Sequence, residues 1–245
     1  MAMPGSESTI QMRINRYVAQ AGISSRRGAD RLIDEGRITI NGQVAVTGAQ
    51  VQEGDVVAFD GVAISLPRED DRVYIAFNKP VGITCTSDRR RKDNIISYIN
   101  YPKRIFTVGR LDRDSRGLIL LTDDGDLAYR LTRTEYGHEK EYRVTVDKSI
   151  TPSFIESIQK GVPILDTVTM PCRAWQTGDK EFGIILTQGL NRQIRRMCEH
   201  FRYSVTDLVR TRIMHIALGS QPVGIWRELT PKETEELLRL SRIKR

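Results

Sequence analysis

Cysteine is scarce in this sequence, and the three that occur, Cys85, Cys172 and Cys198, are widely spaced and odd in number. Such usage argues against a disulfide framework and is typical of a reducing compartment, so we expect a cytoplasmic protein. Cys198 and His200 together with His215 could supply three metal ligands, but no fourth ligand occurs at a suitable spacing. We therefore predict no metal site.

Long apolar runs are also lacking, and none reaches the roughly 20 residues that a membrane-spanning helix needs. The first ten residues, MAMPGSESTI, have neither the basic region nor the apolar region of a secretion signal. The sequence has no GxxxxGK(S/T) or GxGxxG loop, no HExxH and no GxSxG motif. We expect no membrane association and no small-molecule cofactor.

Positive charge is what the sequence has in excess: 38 lysines and arginines against 31 acidic residues give a net charge of +7. Residues 1–70 hold seven arginines, no lysine and nine acidic residues, so the excess lies in residues 71–245. Such a balance favours a polyanionic partner. A merely solvated basic surface is the alternative.

The segment GRLDRDSRGLILLTDDGD, residues 109–126, concentrates five carboxylates. Four of its residues match a calcium-loop template, but Arg116 occupies a ligand position and LILLT is typical of a buried strand. The motif TDDGD then indicates a turn in which Asp126 caps a following helix. Asp112 and Asp114 remain unexplained, and we expect Asp114 to cap a turn or to pair with Arg113 or Arg116.

The chain divides into two parts by pattern. MRINRYVAQAG and SSRRGADRLIDEG predict two helices, the second capped by Ser24 or Ser25 and ended by Gly36, and short strands follow. We predict a small α+β domain over residues 11–63, a linker over 64–72 and a second domain over 73–241. Strand-like segments there (VYIAF, LILLT, YRVTV, FGIILTQ, SVTDLV) do not alternate strictly with the helices expected near 126–133, 152–160, 191–201 and 231–240. This order predicts an α+β domain with a mixed, mostly antiparallel sheet.

Four ordered motifs, NKPVG, GRLDRDSRGLILLTDDGDL, HEKEYRVTV and QGLNRQIRRM, resemble those of bacterial rRNA pseudouridine synthases of the RsuA/RluF type. The first domain, with SSRRGADRLIDEGRITING, is similar to the S4 RNA-binding module that precedes them. The spacing from EKEY to QIRRM and the segment RTRIM most resemble RluF-type members, which act on large-subunit rRNA.

The resemblance implies that a uridine in RNA is isomerised to pseudouridine without a cofactor. It implies Asp112 as the catalytic carboxylate, kept ionised by Arg195, because a buried unpaired Asp would tend to take up a proton. It implies Tyr142 as an aromatic platform for the uracil, or as the acceptor of the C5 proton. A core tyrosine on a strand is the alternative reading of Tyr142.

The target uridine must leave the base stack, so RNA-binding residues are also expected. Arg110 is the candidate wedge or phosphate clamp, and Lys79 lies in a loop expected near the cleft. On the first domain and on the helix near 191–201, the candidates for phosphate contacts are Arg26, Arg27, Arg31, Arg192 and Arg196. A solvated basic stripe, or helical Arg–Asp pairs such as Arg27–Asp30, would explain the same arginines without RNA.

The expected partner is 23S rRNA, with 16S rRNA or a tRNA as alternatives, and the expected state is a monomer. From another class, a non-catalytic RNA-binding or ribosome-assembly protein would keep the same basic surface. A metal-dependent nuclease that uses the TDDGD carboxylates is a third possibility, which the failed calcium template disfavours.

Overall fold

The computed structural model describes residues 11–88 and 90–241, so the expectation of no secretion signal in residues 1–10 lies outside it. The chain forms two compact units that divide between Arg72 and Val73. Among the described residues no helix is long and apolar enough to cross a membrane.

The N-terminal unit packs two helices on short strands. Helix α1 is Ile14–Gln20 and α2 is Arg26–Asp34. The Ser25 hydroxyl accepts a hydrogen bond from the Gly28 amide at 3.0 Å, so Ser25 caps α2, and Gly36 follows its end at a φ of 71°. The strands are β1 Met12–Arg13, β2 Ile38–Ile40, β3 Gln43–Val44, β4 Gln50–Val51, β5 Val57–Phe59 and β6 Val62–Ile64.

Strands β3, β2, β5 and β6 form an antiparallel sheet in that order, and β1 pairs with β4. The apolar faces of the helices and strands meet in one core: Ile14, Val18, Ala29, Ile33, Ile38, Ala45, Val51 and Val57. Burial of this face, rather than the propensity of two short helices, stabilises the unit.

The C-terminal unit is built on a nine-stranded sheet whose main path runs β13-β14-β10-β15-β9-β7-β17. Its pairings are antiparallel except that β15 runs parallel to β9. The strands of this unit, including a small β11–β12 hairpin, are β7 Tyr74–Lys79, β8 Phe106–Val108, β9 Arg116–Thr122, β10 Lys140–Val146, β11 Pro163–Ile164, β12 Thr167–Val168, β13 Arg173–Gly178, β14 Glu181–Leu186, β15 Val205–Ile213, β16 Ile216–Ala217 and β17 Trp226–Glu228. The predicted mixed, mostly antiparallel sheet is therefore confirmed.

The helices of this unit are α3 Ile95–Ile99, α4 Gly125–Thr132, α5 Pro152–Gln159, α6 Gln193–His200 and α7 Pro231–Ser241. The expected capping role of Asp126 is wrong, because the Asp124 carboxylate accepts from the amides of Asp126 and Leu127, both at 3.0 Å. Asp126 instead lies in the first turn of α4, where its negative charge interacts favourably with the positive end of the helix dipole.

Strand β9 is the centre of the unit, and every residue of it after Arg116 is buried. Apolar side chains cover both of its faces, since Leu118 and Leu120 join one core cluster while Ile119 and Leu121 join another. A strand packed on both faces gives a rigid base for the loop that precedes it, and that loop carries Asp112.

Candidate active site

Asp112 lies in the loop that leaves β8 and enters β9, residues 109–115. Gly109 turns the chain at a φ of 73°, and the Leu111 amide donates to the buried Cys85 Sγ at 3.4 Å. The Ser115 amide donates to the Asp112 carbonyl at 3.1 Å, which closes a turn around the acid. These contacts fix the loop while the Asp112 side chain stays 36% exposed.

A cleft of about 310 Å³ opens beside this loop. The loop, the strands β10 and β15 and the start of α6 supply its walls. Its polar and charged lining residues are Arg110, Asp112, Ser115, Thr132, Lys140, Tyr142, Asn191, Arg192, Gln193, Arg195 and Arg210. The three residues predicted from the sequence as catalytic, Asp112, Tyr142 and Arg195, thus line one cleft.

The guanidinium closest to Asp112 is not the predicted one. Nη1 of Arg192 lies 3.8 Å from a carboxylate oxygen of Asp112. Arg195 instead donates to the carbonyls of Asp114 and Val205, at 3.0 and 3.1 Å, and to the Ser115 hydroxyl at 3.2 Å. The expected Arg195–Asp112 ion pair is therefore wrong for the described part of the chain, because Arg195 is used to position the backbone that follows Asp112.

Asp114 links the two arginines. It accepts from both terminal nitrogens of Arg192, at 3.2 and 3.1 Å, and lies 3.5 Å from Nε of Arg195. Burial alone would raise the pKa of Asp114, but hydrogen bonds from Arg192 and the charge of Arg195 outweigh it and hold that pKa below its usual value. The expected partners Arg113 and Arg116 are wrong, since they pair with Asp93 and Asp207.

The start of α6 explains why Arg192 reaches the acids. Arg192 is the N-cap residue and adopts the left-handed conformation at a φ of 49°, which a side chain rarely takes. The helix therefore begins at Gln193, two residues after the expected start, and Arg192 departs from the helical periodicity. Arg195 keeps that periodicity and is only 8% exposed.

Tyr142 lies in the middle of β10 as predicted for a strand residue. Its half-buried ring packs against two core clusters and forms part of the cleft wall. The ring thus offers an apolar face to whatever enters the cleft, which suits stacking on a base.

Two cations that sequence reasoning missed line the same cleft. Arg210 on β15 is 3% exposed and donates through Nε to the Leu118 carbonyl at 2.6 Å. Burial, with a smaller effect of the Arg210 charge, lowers the pKa of Lys140 to about 8. The available signals were an arginine in the apolar strand SVTDLVRTRI and a lysine two residues before Tyr142, on the same strand face.

Comparison with known proteins identifies the family of the domain that carries the cleft. The RNA pseudouridylate synthase family matches residues 73–200, and the S4 domain matches residues 12–57. The chain belongs to the RNA pseudouridylate synthase family. The resemblance inferred from the four motifs, and the α+β fold with an S4 domain, are confirmed.

Similar proteins include the dual-specificity RNA pseudouridine synthase RluF of Salmonella typhi, at 52% identity over 93% of this chain and 79% of the relative. The RluF protein of Escherichia coli K12 is 51% identical over 94% of this chain and 79% of its own. The ribosomal large subunit pseudouridine synthase B of Bacillus subtilis is 34% identical, with 94% and 96% covered. A crystal structure of a pseudouridylate synthase superposes with a TM-score of 0.68 at 28% identity, over 92% of this chain and 99% of that one.

The predicted RNA-binding residues of the synthase occupy different settings. Lys79 is 0% exposed, and its ammonium donates to the carbonyls of Pro80 and Ile83 at 2.9 and 2.8 Å. Its predicted role in RNA binding is wrong, because a buried ammonium held by two carbonyls cannot reach a phosphate. Arg110 is exposed and lines the cleft, whereas Arg196 is half-buried and donates to Asn191.

On helix α2 of the synthase, Arg26, Arg27 and Arg31 are exposed. The carboxylates that could have paired with them along the helix accept from other groups, Asp30 from Asn15 and Asp34 from Thr47, both at 2.8 Å. Within residues 11–88 and 90–241 no ion pair is found for these three arginines, so the alternative of helical Arg–Asp pairs is not favoured.

Proposed function

We propose that this synthase isomerises a uridine of 23S rRNA to pseudouridine, with Asp112 acting at C1′ of the flipped nucleotide. One observation carries the assignment of the site: Asp112 is held by a rigid loop on the wall of a cleft that Tyr142 and three buried or half-buried cations share. A non-catalytic RNA-binding protein would need no carboxylate held on the wall of such a cleft.

The steps conserve every atom. The bond between N1 and C1′ breaks as a carboxylate oxygen of Asp112 bonds to C1′, and the electron pair leaves with the uracil. The uracil turns, C5 bonds to C1′ and the carboxylate leaves. C5 then loses its proton and N1 gains one, so the product is an isomer of the substrate. Nothing is oxidised, reduced or hydrolysed, and the reaction itself requires no cofactor.

The surrounding residues serve these steps in distinct ways. Nη1 of Arg192 lies 3.8 Å from a carboxylate oxygen of Asp112, and Arg192 is exposed enough to meet a phosphate as well. Arg195 acts as a positioning residue, because its three hydrogen bonds join the end of the Asp112 loop, at Asp114 and Ser115, to Val205 of β15. Tyr142 stacks on the extruded base, and Arg110 at the cleft wall supports the extruded conformation.

RNA is held by the S4 domain in this proposal. Residues 11–63 form that module, 64–72 the linker and 73–241 the catalytic domain, and Arg26, Arg27 and Arg31 contact phosphates. The protein acts as a monomer in the cytoplasm. The relatives named dual-specificity synthases suggest a second RNA substrate, for which we propose a tRNA.

The test uses 23S rRNA labelled with tritium at C5 of its uridines. Wild type should release tritium, and Asp112→Ala and Asp112→Asn should release none above background. Asp126→Asn serves as the matched control, since it changes an acid of the same motif outside the cleft. Equal release by wild type and the Asp112 variants would refute the role of Asp112, and release from tRNA alone would refute the 23S assignment.

A further inference from the structure

Arg210 is a buried cation with an unused donor. Its Nε is satisfied by the Leu118 carbonyl, but its Nη2 is buried and has no hydrogen-bond partner among the described residues. A buried donor without a partner is costly, and a role in catalysis is one reason for which proteins retain such a group. Arg210 lines the same cleft as Asp112, so a substrate bound in that cleft could supply the hydrogen-bond acceptor for Nη2.

The position of Arg210 is held by the sheet itself. It lies directly across from Tyr142 in the register of β10 and β15. On its other side β9 approaches so closely that a Cβ added at Gly117 would collide with the Arg210 carbonyl oxygen and lie 2.7 Å from its amide nitrogen. Two neighbouring strands thus fix this residue, as a preorganised donor requires.

Lys140 adds a second charge to the same wall. Its ammonium donates to the His138 carbonyl at 3.1 Å, and in the described part of the chain no carboxylate lies within 4 Å of either Lys140 or Arg210. The two cations therefore repel each other, and neither has a carboxylate paired directly with it in the described part of the chain. An anion entering the cleft would relieve this repulsion.

The reaction generates such an anion. When the bond between N1 and C1′ breaks, the uracil departs with the electron pair, and its negative charge spreads onto the oxygens O2 and O4. We propose that Nη2 of Arg210 donates a hydrogen bond to a carbonyl oxygen of the flipped uracil and holds the detached base while it turns, with the Lys140 ammonium beside it. This inference rests on the proposed function and names the group that stabilises its intermediate.

Arg210→Met tests the role because methionine keeps the stem and removes every donor. With an RNA fragment that carries the target uridine, we expect the single-turnover rate to fall about 100- to 1000-fold, as for removal of one preorganised donor to an anion. RNA affinity should stay within about twofold, since phosphate contacts dominate affinity. Arg212→Met, on the same strand but outside the cleft, is the matched control and should keep the wild-type rate.

A sulphur-substituted substrate separates contact from structure. Wild type should react more slowly with RNA that carries 2-thiouridine or 4-thiouridine at the target position. One of the two analogues replaces the oxygen that Arg210 contacts. For that analogue the slowing should be smaller in Arg210→Met than in wild type, because the variant has already lost the hydrogen bond. The slowing measured for Arg210→Lys should lie between that of wild type and that of Arg210→Met. If Arg210→Met does not fold, the same comparison is made with Arg210→Lys.

The outcomes are distinct. Wild type that releases tritium while Arg210→Met reacts within threefold of it would overturn this role alone. The role is equally overturned if both analogues slow wild type and the variants by equal factors. Wild type that fails on the natural RNA would instead overturn the proposed function and this role with it.

Discussion

Replacing Arg195 by alanine should damage the fold before it damages the chemistry. Arg195 donates three hydrogen bonds, to the Asp114 and Val205 carbonyls and to Ser115, from a side chain that is 9% exposed. Without Arg195 these acceptors have no hydrogen-bond donor, and each unsatisfied acceptor costs about 1–3 kcal/mol. We therefore expect the free energy of unfolding to fall by about 3 kcal/mol. For a domain of this size that lowers the melting temperature of the catalytic unit by about 6–12 °C.

Replacing Arg192 by alanine should lower the reaction rate more than it lowers the stability of the fold. At 3.8 Å a pair of unit charges interacts by about 4 kcal/mol at an effective dielectric constant of 20. Both side chains are more than a third exposed, however, and solvent screening reduces the net effect to about 1 kcal/mol. We expect a rate about fivefold lower and a melting temperature within about 3 °C of wild type.

The assay combines thermal unfolding with single-turnover tritium release, measured well below the lowered melting temperature. Arg196→Ala is the melting control, because it removes a neighbouring arginine of α6 whose side-chain hydrogen bonds go to Asn191. The reasoning fails if Arg195→Ala melts like wild type yet is inactive. That result would restore the direct pairing of Arg195 with Asp112 that the sequence suggests.

Three further predictions concern other parts of the chain. Burial lowers the pKa of Lys140 from 10.5 to about 8, so between these pH values the unfolded chain binds more protons than the folded chain. The free energy of unfolding of wild type should therefore rise from pH 8 to 10.5 relative to that of Lys140→Met. If denaturant unfolding shows the same difference between the two proteins at both pH values, the prediction is wrong. Gly117→Ala combines a φ of 104° with a collision against the Arg210 backbone, so we expect more than about 4 kcal/mol of destabilisation, seen as insoluble or molten protein; a wild-type melting curve would contradict it. The double variant Arg27→Gln/Arg31→Gln should weaken RNA binding and lower the slope of log affinity against log salt by roughly 1–2, with the saturated rate unchanged; a wild-type slope would remove both residues from the RNA interface.

The sequence was informative wherever one motif determined one local structure. LILLT forms the buried strand β9, and the segment TPKE starts α7 with a capping box, in which Thr230 and Glu233 make two reciprocal hydrogen bonds at 2.9 and 3.2 Å. Asp112 could be located on the cleft because the motif around it is specific. In each case the interactions that decide the structure lie within a few residues.

Sequence reasoning failed where the backbone departs from ideal periodicity. A helix beginning at Asn191 would place Arg192 and Arg195 on one face, but the left-handed Arg192 separates them and exchanges their expected partners. Helix α3 was missed because its five residues, IISYI, are mostly apolar and β-branched and it depends on the Asn94 cap. TDDGD holds three acids, and the motif alone does not tell that Asp124 rather than Asp126 caps α4.

The distribution of charge in the cleft connects these findings. Arg110 and Arg192 are exposed, whereas Arg210 is buried and Lys140 half-buried in the same cleft, so in the proposed mechanism the first two meet phosphates and the last two meet the extruded base. Asp114 offsets part of the charge of Arg192 and Arg195, and in the proposed mechanism Asp112 is the acid that faces the sugar. An RNA-binding surface requires only the exposed cations, so under the proposed mechanism buried Arg210 and half-buried Lys140 are the residues that distinguish a site for breaking a glycosidic bond from a site for holding RNA.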